Sequence, residues 1–335
     1  MKKKILKFIL WLFGILIVMM LAVFTAFQLS PRPGVYVIGL MFDSPVSISD
    51  KQAYKKAKGN VKVISNEVYK SKHKENTFDI YYPKNASKAV PVMIWAHGGG
   101  FVAGDKSGVK EFATRIVSDA NIAVVAMNYE TAPDSQYPNQ VKQVNDLVKE
   151  LQTRKMAELD LSRLFLGGDS AGAQIALQYA VVQTNASYAD EMGMMQTIPE
   201  GNLKGTISYC GPVNLKQTAQ QHSDNRFMKF FVKTVAWSLI GTKNWKNDPK
   251  LFQSSLVDHV SNEFPPTYIT DGNAYSFQEQ GITLENRLNE LGIPVQGLFY
   301  TNDKNEITHE YQFDYATTEA KECYQQTLKF LNQYK

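Results

Sequence analysis

The most one-sided stretch of the chain is near its start, where the 20 residues from Phe8 to Phe27 run without a charge and with Thr25 as the only polar side chain. At about 1.5 Å per residue this makes about 30 Å of helix, the thickness of a bilayer's hydrocarbon core, and predicts a membrane-spanning helix. A cleaved secretory signal is the competing reading. Its apolar core is about 7 to 15 residues long and ends at a small-x-small site, which fits neither the run nor the Gln28 to Gly34 segment after it. Residues 1–29 are therefore read as a Lys-rich cytoplasmic end and a signal-anchor. Lys2, Lys3, Lys4 and Lys7 precede the span, so the positive-inside rule puts the rest of the chain on the extracytoplasmic side.

Residues 30–60 are mixed. Pro31 and Pro33 are expected to break any helix leaving the membrane, and the polar, Lys-rich stretch from Asp50 to Lys58 suggests one short helix in a linker. From Val61 the pattern changes. Val61 to Tyr69 and Thr77 to Tyr82 alternate and are rich in β-formers, as an opening antiparallel pair would be. Short apolar runs then recur at Val90 to Ala96, Ile122 to Asn128, Leu164 to Gly167, Leu203 to Cys210, Thr267 to Thr270 and Val295 to Tyr300, which suits strands buried on both faces. Between them lie helical patterns at Lys110 to Ala120, Gln140 to Lys155, Ala171 to Thr184, Phe277 to Leu291 and Thr317 to Gln333. In the second of these, Val141, Val144, Leu147, Val148 and Leu151 step by three and four along one face.

Strands alternating with helices predict an α/β fold for residues 61–335, with a mostly parallel central sheet and helices on both of its faces. Residues 214–263 break the rhythm with an apolar patch, Phe227 to Ile240, set among Trp, Asn and Lys. The stretch is too long for a plain loop and is read as a cap inserted over the carboxyl ends of the strands, where open α/β sheets carry their sites.

Charge narrows the class of function. The 335 residues carry 36 Lys and Arg against 32 Asp and Glu, but four of the basic residues precede the span, so everything after Lys7 balances at 32 to 32. A nucleic-acid binder that depends on a clustered basic face is excluded. Cys210 and Cys323, the only two cysteines, cannot form a disulfide scaffold or a four-ligand zinc site, and are read as free, buried thiols.

Two motifs carry chemistry. Gly168-Asp169-Ser170-Ala171-Gly172 joins a strand to a helix, the context a G-x-S-x-G nucleophile elbow requires. The backbone turns so sharply there that bulk at Gly168 or Gly172 is expected to strike neighbouring backbone, and the serine hydroxyl is lifted to a helix N-terminus. Upstream, His97-Gly98-Gly99-Gly100-Phe101 follows another strand. Its glycines fit a loop that turns backbone N–H groups toward a tetrahedral oxyanion, with the amides of Gly99, Gly100 and Ala171 as the expected donors. A phosphate loop is the alternative, but no Lys-Ser/Thr follows and there is no G-x-G-x-x-G fingerprint.

From about Val61 to Leu331 the chain resembles the α/β-hydrolase fold, in the esterase branch that includes hormone-sensitive-lipase-like and acetyl-esterase-like enzymes. The resemblance is carried by HGGGFVAGD and GGDSAGA, with support from NYETAPDSQYPNQVKQVNDL and THEYQFDY. It implies a serine carboxylic-ester hydrolase with Ser170 as nucleophile and no metal or organic cofactor. The base of this fold follows the last strand, which selects His309 over His73, His97, His222 and His259, with His259 its main competitor. The family's acid position falls on Tyr275, a phenol that is neutral at pH 7 and cannot hold an imidazolium. Asp271, at a strand end four residues earlier, is favoured, with Glu279, Asp303 and Glu306 as alternatives; Asp271-Gly272-Asn273 is also a plain turn signature. Either the carboxylate has migrated or the triad is weakened. Asp169 and Asp105 are read as structural, the latter as a helix cap. The resemblance implies short acyl groups, acetyl among them; the outside location suggests acetylated glycans as substrates, and an anchor that keeps the site near the bilayer suggests a lipid ester. An acyltransferase or peptidase on the same triad, or an anchored binding module, remain the other classes.

Overall fold

The computed structural model describes residues 2–42, 47–220 and 224–335. Three helices precede the sheet: α1 (Lys2–Leu29), α2 (Arg32–Phe42) and α3 (Lys51–Lys58). The eight strands are β1 (Val61–Val68), β2 (Thr77–Pro83), β3 (Val90–Ala96), β4 (Ala123–Met127), β5 (Leu159–Asp169), β6 (Leu203–Tyr209), β7 (Thr267–Asp271) and β8 (Val295–Phe299). They form one sheet in the order β1-β2-β4-β3-β5-β6-β7-β8, in which β1 pairs antiparallel with β2 and β2 with β4, while β4 onward are parallel.

The connecting helices are α4 (Lys110–Ala120), α5 (Asn139–Arg154), α6 (Ala171–Thr184) and α7 (Ala186–Glu191); then α8 (Leu215–Gln220), α9 (Arg226–Ile240) and α10 (Pro249–Gln253) between β6 and β7; and finally α11 (Gln278–Glu290) and α12 (Thr318–Tyr334). Every residue of β3 is buried, and successive residues serve opposite layers. Val92 and Ile94 pack with Val144 and Leu147 of α5 and Ile175 of α6, whereas Met93 and Trp95 pack with Phe112 and Ile116 of α4 and Phe330 of α12. The period of two in a strand thus divides one apolar run between two cores, which is why the run shows no polar alternation.

The segment after α1 holds more regular structure than the expected linker with one short helix. Two helices form, α2 and α3, with Asp50 capping α3 through the amide of Ala53 at 2.9 Å. Pro33 lies in the first turn of α2. The N–H that a proline lacks has no intrahelical partner at that position, so Pro33 is accommodated in the start of a new helix, while α1 ends at Leu29 just before Pro31, as the prolines predict. At the other end of the chain's hydropathy range, α1 has a segment, Lys3–Leu29, long and apolar enough to cross a membrane, and none of its most apolar window is buried.

Candidate active site

Ser170 sits between the last residue of β5 and the first of α6 with φ 47° and ψ −119°. A non-glycine residue held there costs about 1–3 kcal/mol. The surrounding contacts are close enough to enforce it. A Cβ added at Gly168 would lie 2.3 Å from the carbonyl carbon of Gly172, and one added at Gly172 would lie 2.0 Å from the oxygen of Ala96. Glycine at both positions lets β3, β5 and α6 converge on the turn.

The loop after β3 is built from the other side of that turn. The His97 ring stacks on Tyr129 with centroids 4.3 Å apart, and its Nδ1 is 2.6 Å from the Gly98 oxygen. Burial holds the His97 pKa below the ordinary value, so the ring is neutral and donates to that carbonyl. His97 is thus a brace for the loop. Asp169 ties the loop to the elbow: its Oδ2 accepts the Gly98 amide at 2.7 Å and its Oδ1 accepts Trp95 Nε1 at 2.7 Å. Burial, and then the nearby Glu310 carboxylate, push Asp169 up to about 7 against these two donors. Gly99 and Gly100 have φ of 113° and 59°. The amides of Gly99, Gly100 and Ala171 make no hydrogen bond to a described residue, and all three residues line the same cavity as Ser170 and His309.

His309 Nε2 is 2.9 Å from Ser170 Oγ. Its Nδ1 faces Asp271 Oδ1 at 3.7 Å, an ion-pair separation beyond hydrogen-bond length. Burial opposes a charged His309, but Asp271, Glu310 and Asp169 outweigh it and hold the imidazole pKa above its ordinary value. Asp271 is also a turn residue, as its sequence context suggests: Oδ1 accepts the Gly272 amide at 2.8 Å and Oδ2 the Phe277 amide at 2.7 Å.

Asn273, which the sequence did not single out, joins the two loops. Its Oδ1 accepts the Ile307 amide at 2.9 Å, and its Nδ2 donates to the oxygens of Tyr300 at 3.2 Å and Asn305 at 3.0 Å. The His309 amide then donates to the Ala274 oxygen at 3.1 Å. The Asp-Gly-Asn turn therefore positions the loop that carries His309.

The remaining candidates are engaged or placed elsewhere. Tyr275, with φ 53°, is exposed and lines the cavity. Glu279, Asp303 and Glu306 are exposed. His259 stacks on Tyr188, and His73 Nδ1 pairs with Glu130 at 2.9 Å. His222 lies outside the described residues. Asp105 accepts the Ser107 amide at 2.8 Å as the cap of the turn leading into α4. Cys210, Asp271 and His309 bring three ligand-type atoms within 4.8 Å. Burial, with Asp271 and Glu310 nearby, raises the Cys210 thiol pKa well above its ordinary value, which opposes the thiolate a metal takes. Cys210 and Cys323 are both free and buried.

In front of Ser170 is a cavity of about 270 Å³, walled by Phe231, Val232, Val235 and Leu239 of α9 with Leu215 and Trp245, and lined also by Met41 and Phe42 at the end of α2. Its walls are mostly apolar, with Ser170, Thr218, Tyr275, His309 and Glu310 as the polar side chains. No sequence pattern pointed to Met41 and Phe42, because their place in the site comes from α2 folding back on α9.

The BD-FAE family matches residues 78–288. Among curated relatives, an α/β hydrolase of Acanthamoeba polyphaga mimivirus is 24% identical over 260 residues, covering 75% of this chain and 69% of its own. Esterase LipI of Mycobacterium tuberculosis is 28% identical over 229 residues, 65% of this chain and 66% of its own. Plant carboxylesterases match over only 33%, 42% and 40% of their lengths. Among solved structures, esterase B from Lactobacillus rhamnosis superposes with a TM-score of 0.69 at 20% identity, over 84% of this chain and 90% of that one, which speaks to the fold. By the family match and these relatives, the chain belongs to the BD-FAE family and is an α/β-hydrolase esterase, a carboxylic ester hydrolase.

Proposed function

We propose that the protein hydrolyses carboxylic esters through an acyl-enzyme on Ser170, in a body of residues 61–335 whose insertion at about 214–263 caps the site. The observation that carries this is the 2.9 Å contact between His309 Nε2 and the hydroxyl of a serine held at positive φ. Ser170 Oγ attacks the ester carbonyl while its proton passes to His309 Nε2. Negative charge gathers on the carbonyl oxygen, where the amides of Gly99, Gly100 and Ala171 are available to receive it. The C–O bond to the alcohol breaks as His309 returns the proton to the leaving oxygen. Water then gives its proton to His309 and attacks the acyl carbon; the C–O bond to Ser170 breaks as His309 returns that proton to Oγ, which releases the acid and restores the Ser170 hydroxyl. Asp271, facing Nδ1 at 3.7 Å, offsets the charge of the imidazolium.

The cavity supports an acyl chain longer than the acetyl that the family resemblance implies. Its 270 Å³ has room for about nine water-sized groups, close to the size of a methylene. The long apolar α1 with lysines before it supports a single-pass anchor with the body outside. Protease added to intact cells would then remove the body, and a protected body would overturn that orientation. For the chemistry, a fluorophosphonate probe should label the wild type and not Ser170→Ala, while mass analysis of products separates hydrolysis from acyl transfer. A well-folded wild type that takes no label would sink the proposal.

A further inference from the structure

Beyond α1, eleven large apolar side chains are exposed among the described residues, and five of them, Tyr36, Val37, Leu40, Met41 and Phe42, are on α2. Phe227 at the start of α9 and Tyr275 are exposed as well, and both line the same cavity as Met41 and Phe42. The exposed apolar surface is thus concentrated on α2 and on residues beside it that line the cavity.

Where this surface lies follows from the chain itself. Only Ser30 and Pro31 separate α1 from α2. Three Cα steps reach about 11 Å at most, so α2 starts in or beside the headgroup layer of any bilayer that α1 crosses. It is also fixed to the body. Arg32 pairs with Asp134 at 2.6 Å, Ile38 is fully buried, and Gly34 packs so closely on α9 that a Cβ would lie 2.7 Å from Thr234 Cγ2. Along α9, Arg226, Lys229 and Lys233 are exposed, no acidic residue occurs in the helix, and none of the three makes an ion pair among the described residues. An apolar face beside an unpaired basic one is the pattern of a helix lying in a lipid interface.

We propose that α2 and the first half of α9 lie in the headgroup layer and open the acyl cavity toward the leaflet, so that the substrates are esters dissolved in the membrane. The inference rests on Ser170 as nucleophile and α1 as a span, and adds the direction from which the ester arrives. An ester in the leaflet slides its acyl chain past Met41, Phe42 and Phe227 into the cavity, and its carbonyl meets Ser170 without the chain crossing water.

The test uses the full chain in vesicles of phosphatidylcholine and phosphatidylglycerol. Because both native cysteines are buried, a thiol-reactive fluorophore can be directed to Leu40→Cys on α2 or to Met195→Cys. Met195 follows α7 beyond the far end of α6, whose 14 residues run about 21 Å away from Ser170. Nitroxide-bearing lipids should quench the fluorophore at position 40 and leave that at 195 unaffected; equal quenching, or crosslinking of position 40 to a second copy with no quenching, overturns the proposal. In the second arm, Val37→Glu with Leu40→Glu should lower hydrolysis of a fluorogenic diacylglycerol ester in the vesicles about ten-fold while changing turnover of water-soluble p-nitrophenyl butyrate less than about two-fold. No loss on the vesicle ester overturns the proposal, and equal loss on both substrates leaves the quenching result to decide. If the wild type turns over neither ester, the nucleophile assignment fails, and quenching still reports where α2 lies.

Discussion

Asp271→Asn removes one charge and keeps the outline of the side chain, which makes it the sharpest probe of how His309 works. The carboxylate is 3.7 Å from His309 Nδ1. At an effective dielectric of about 20, unit charges at that separation attract by about 4.5 kcal/mol. The attraction exists only after His309 has taken the serine proton, so it acts on the transition state and amounts to about 10³ in rate. The substitution also sets an amide group against two backbone donors, Gly272 at 2.8 Å and Phe277 at 2.7 Å, and leaving one of them unmet costs about 1–3 kcal/mol of stability. The expected result is a kcat on p-nitrophenyl butyrate lowered at least about 100-fold, with little change in KM and a protein that still unfolds cooperatively. Glu310→Gln serves as the comparison, since Glu310 contributes to the same imidazole more weakly than Asp271 does, and should lose less than about ten-fold. A folded Asp271→Asn within about three-fold of wild type would refute the reasoning, and a large loss in Glu310→Gln would then name the other carboxylate.

Two further outcomes follow from the site. His309 must be neutral to accept a proton, and its pKa lies above 6.5, so the acid limb of kcat/KM should have its midpoint above pH 6.5 and move down in Asp271→Asn. The linkage to stability runs the other way: a raised folded pKa stabilises the fold below the unfolded value, and that contribution is lost as pH rises through the folded one, so activity should appear as this part of the stability fades. Gly172→Ala places a methyl group 2.0 Å from the Ala96 oxygen, and should destabilise the protein by about 3 kcal/mol or more, read as a lower urea midpoint. An unchanged midpoint would mean that β3 and α6 separate at no cost.

The sheet was legible because its strands are buried on both faces and appear in sequence as short apolar runs between breakers. The elbow and the loop after β3 were legible because their glycines answer to contacts with backbone, as at Gly172 against Ala96. What escaped the sequence depends on distant segments. Asn273 looks like an ordinary turn residue until the loop at 300–307 is packed on it. Glu310 follows His309 in sequence, yet nothing local indicates that it approaches Asp169 across Gly98. Pro31 and Pro33 read as helix breakers, and α1 does end at Leu29, but that a second helix starts across Pro33 depends on the packing of α2 on α9, which no local pattern shows. The carboxylate nearest His309 is hard to read for a related reason: Asp271 has a local turn function as well, and one residue type at a strand end serves both.

The Asn273 clamp gives the protein a place to grow. It holds the loop near Tyr300 and again at Asn305 and Ile307, while residues 301–304 between these points are exposed, with one longer contact at the Asp303 oxygen, 3.4 Å. When the ends of a loop are pinned, each doubling of its length costs only about 0.6 kcal/mol of closure entropy. An epitope or a second module grafted into this stretch should leave His309 where it is, so an exposed loop beside the site is also one whose length the chemistry would not feel.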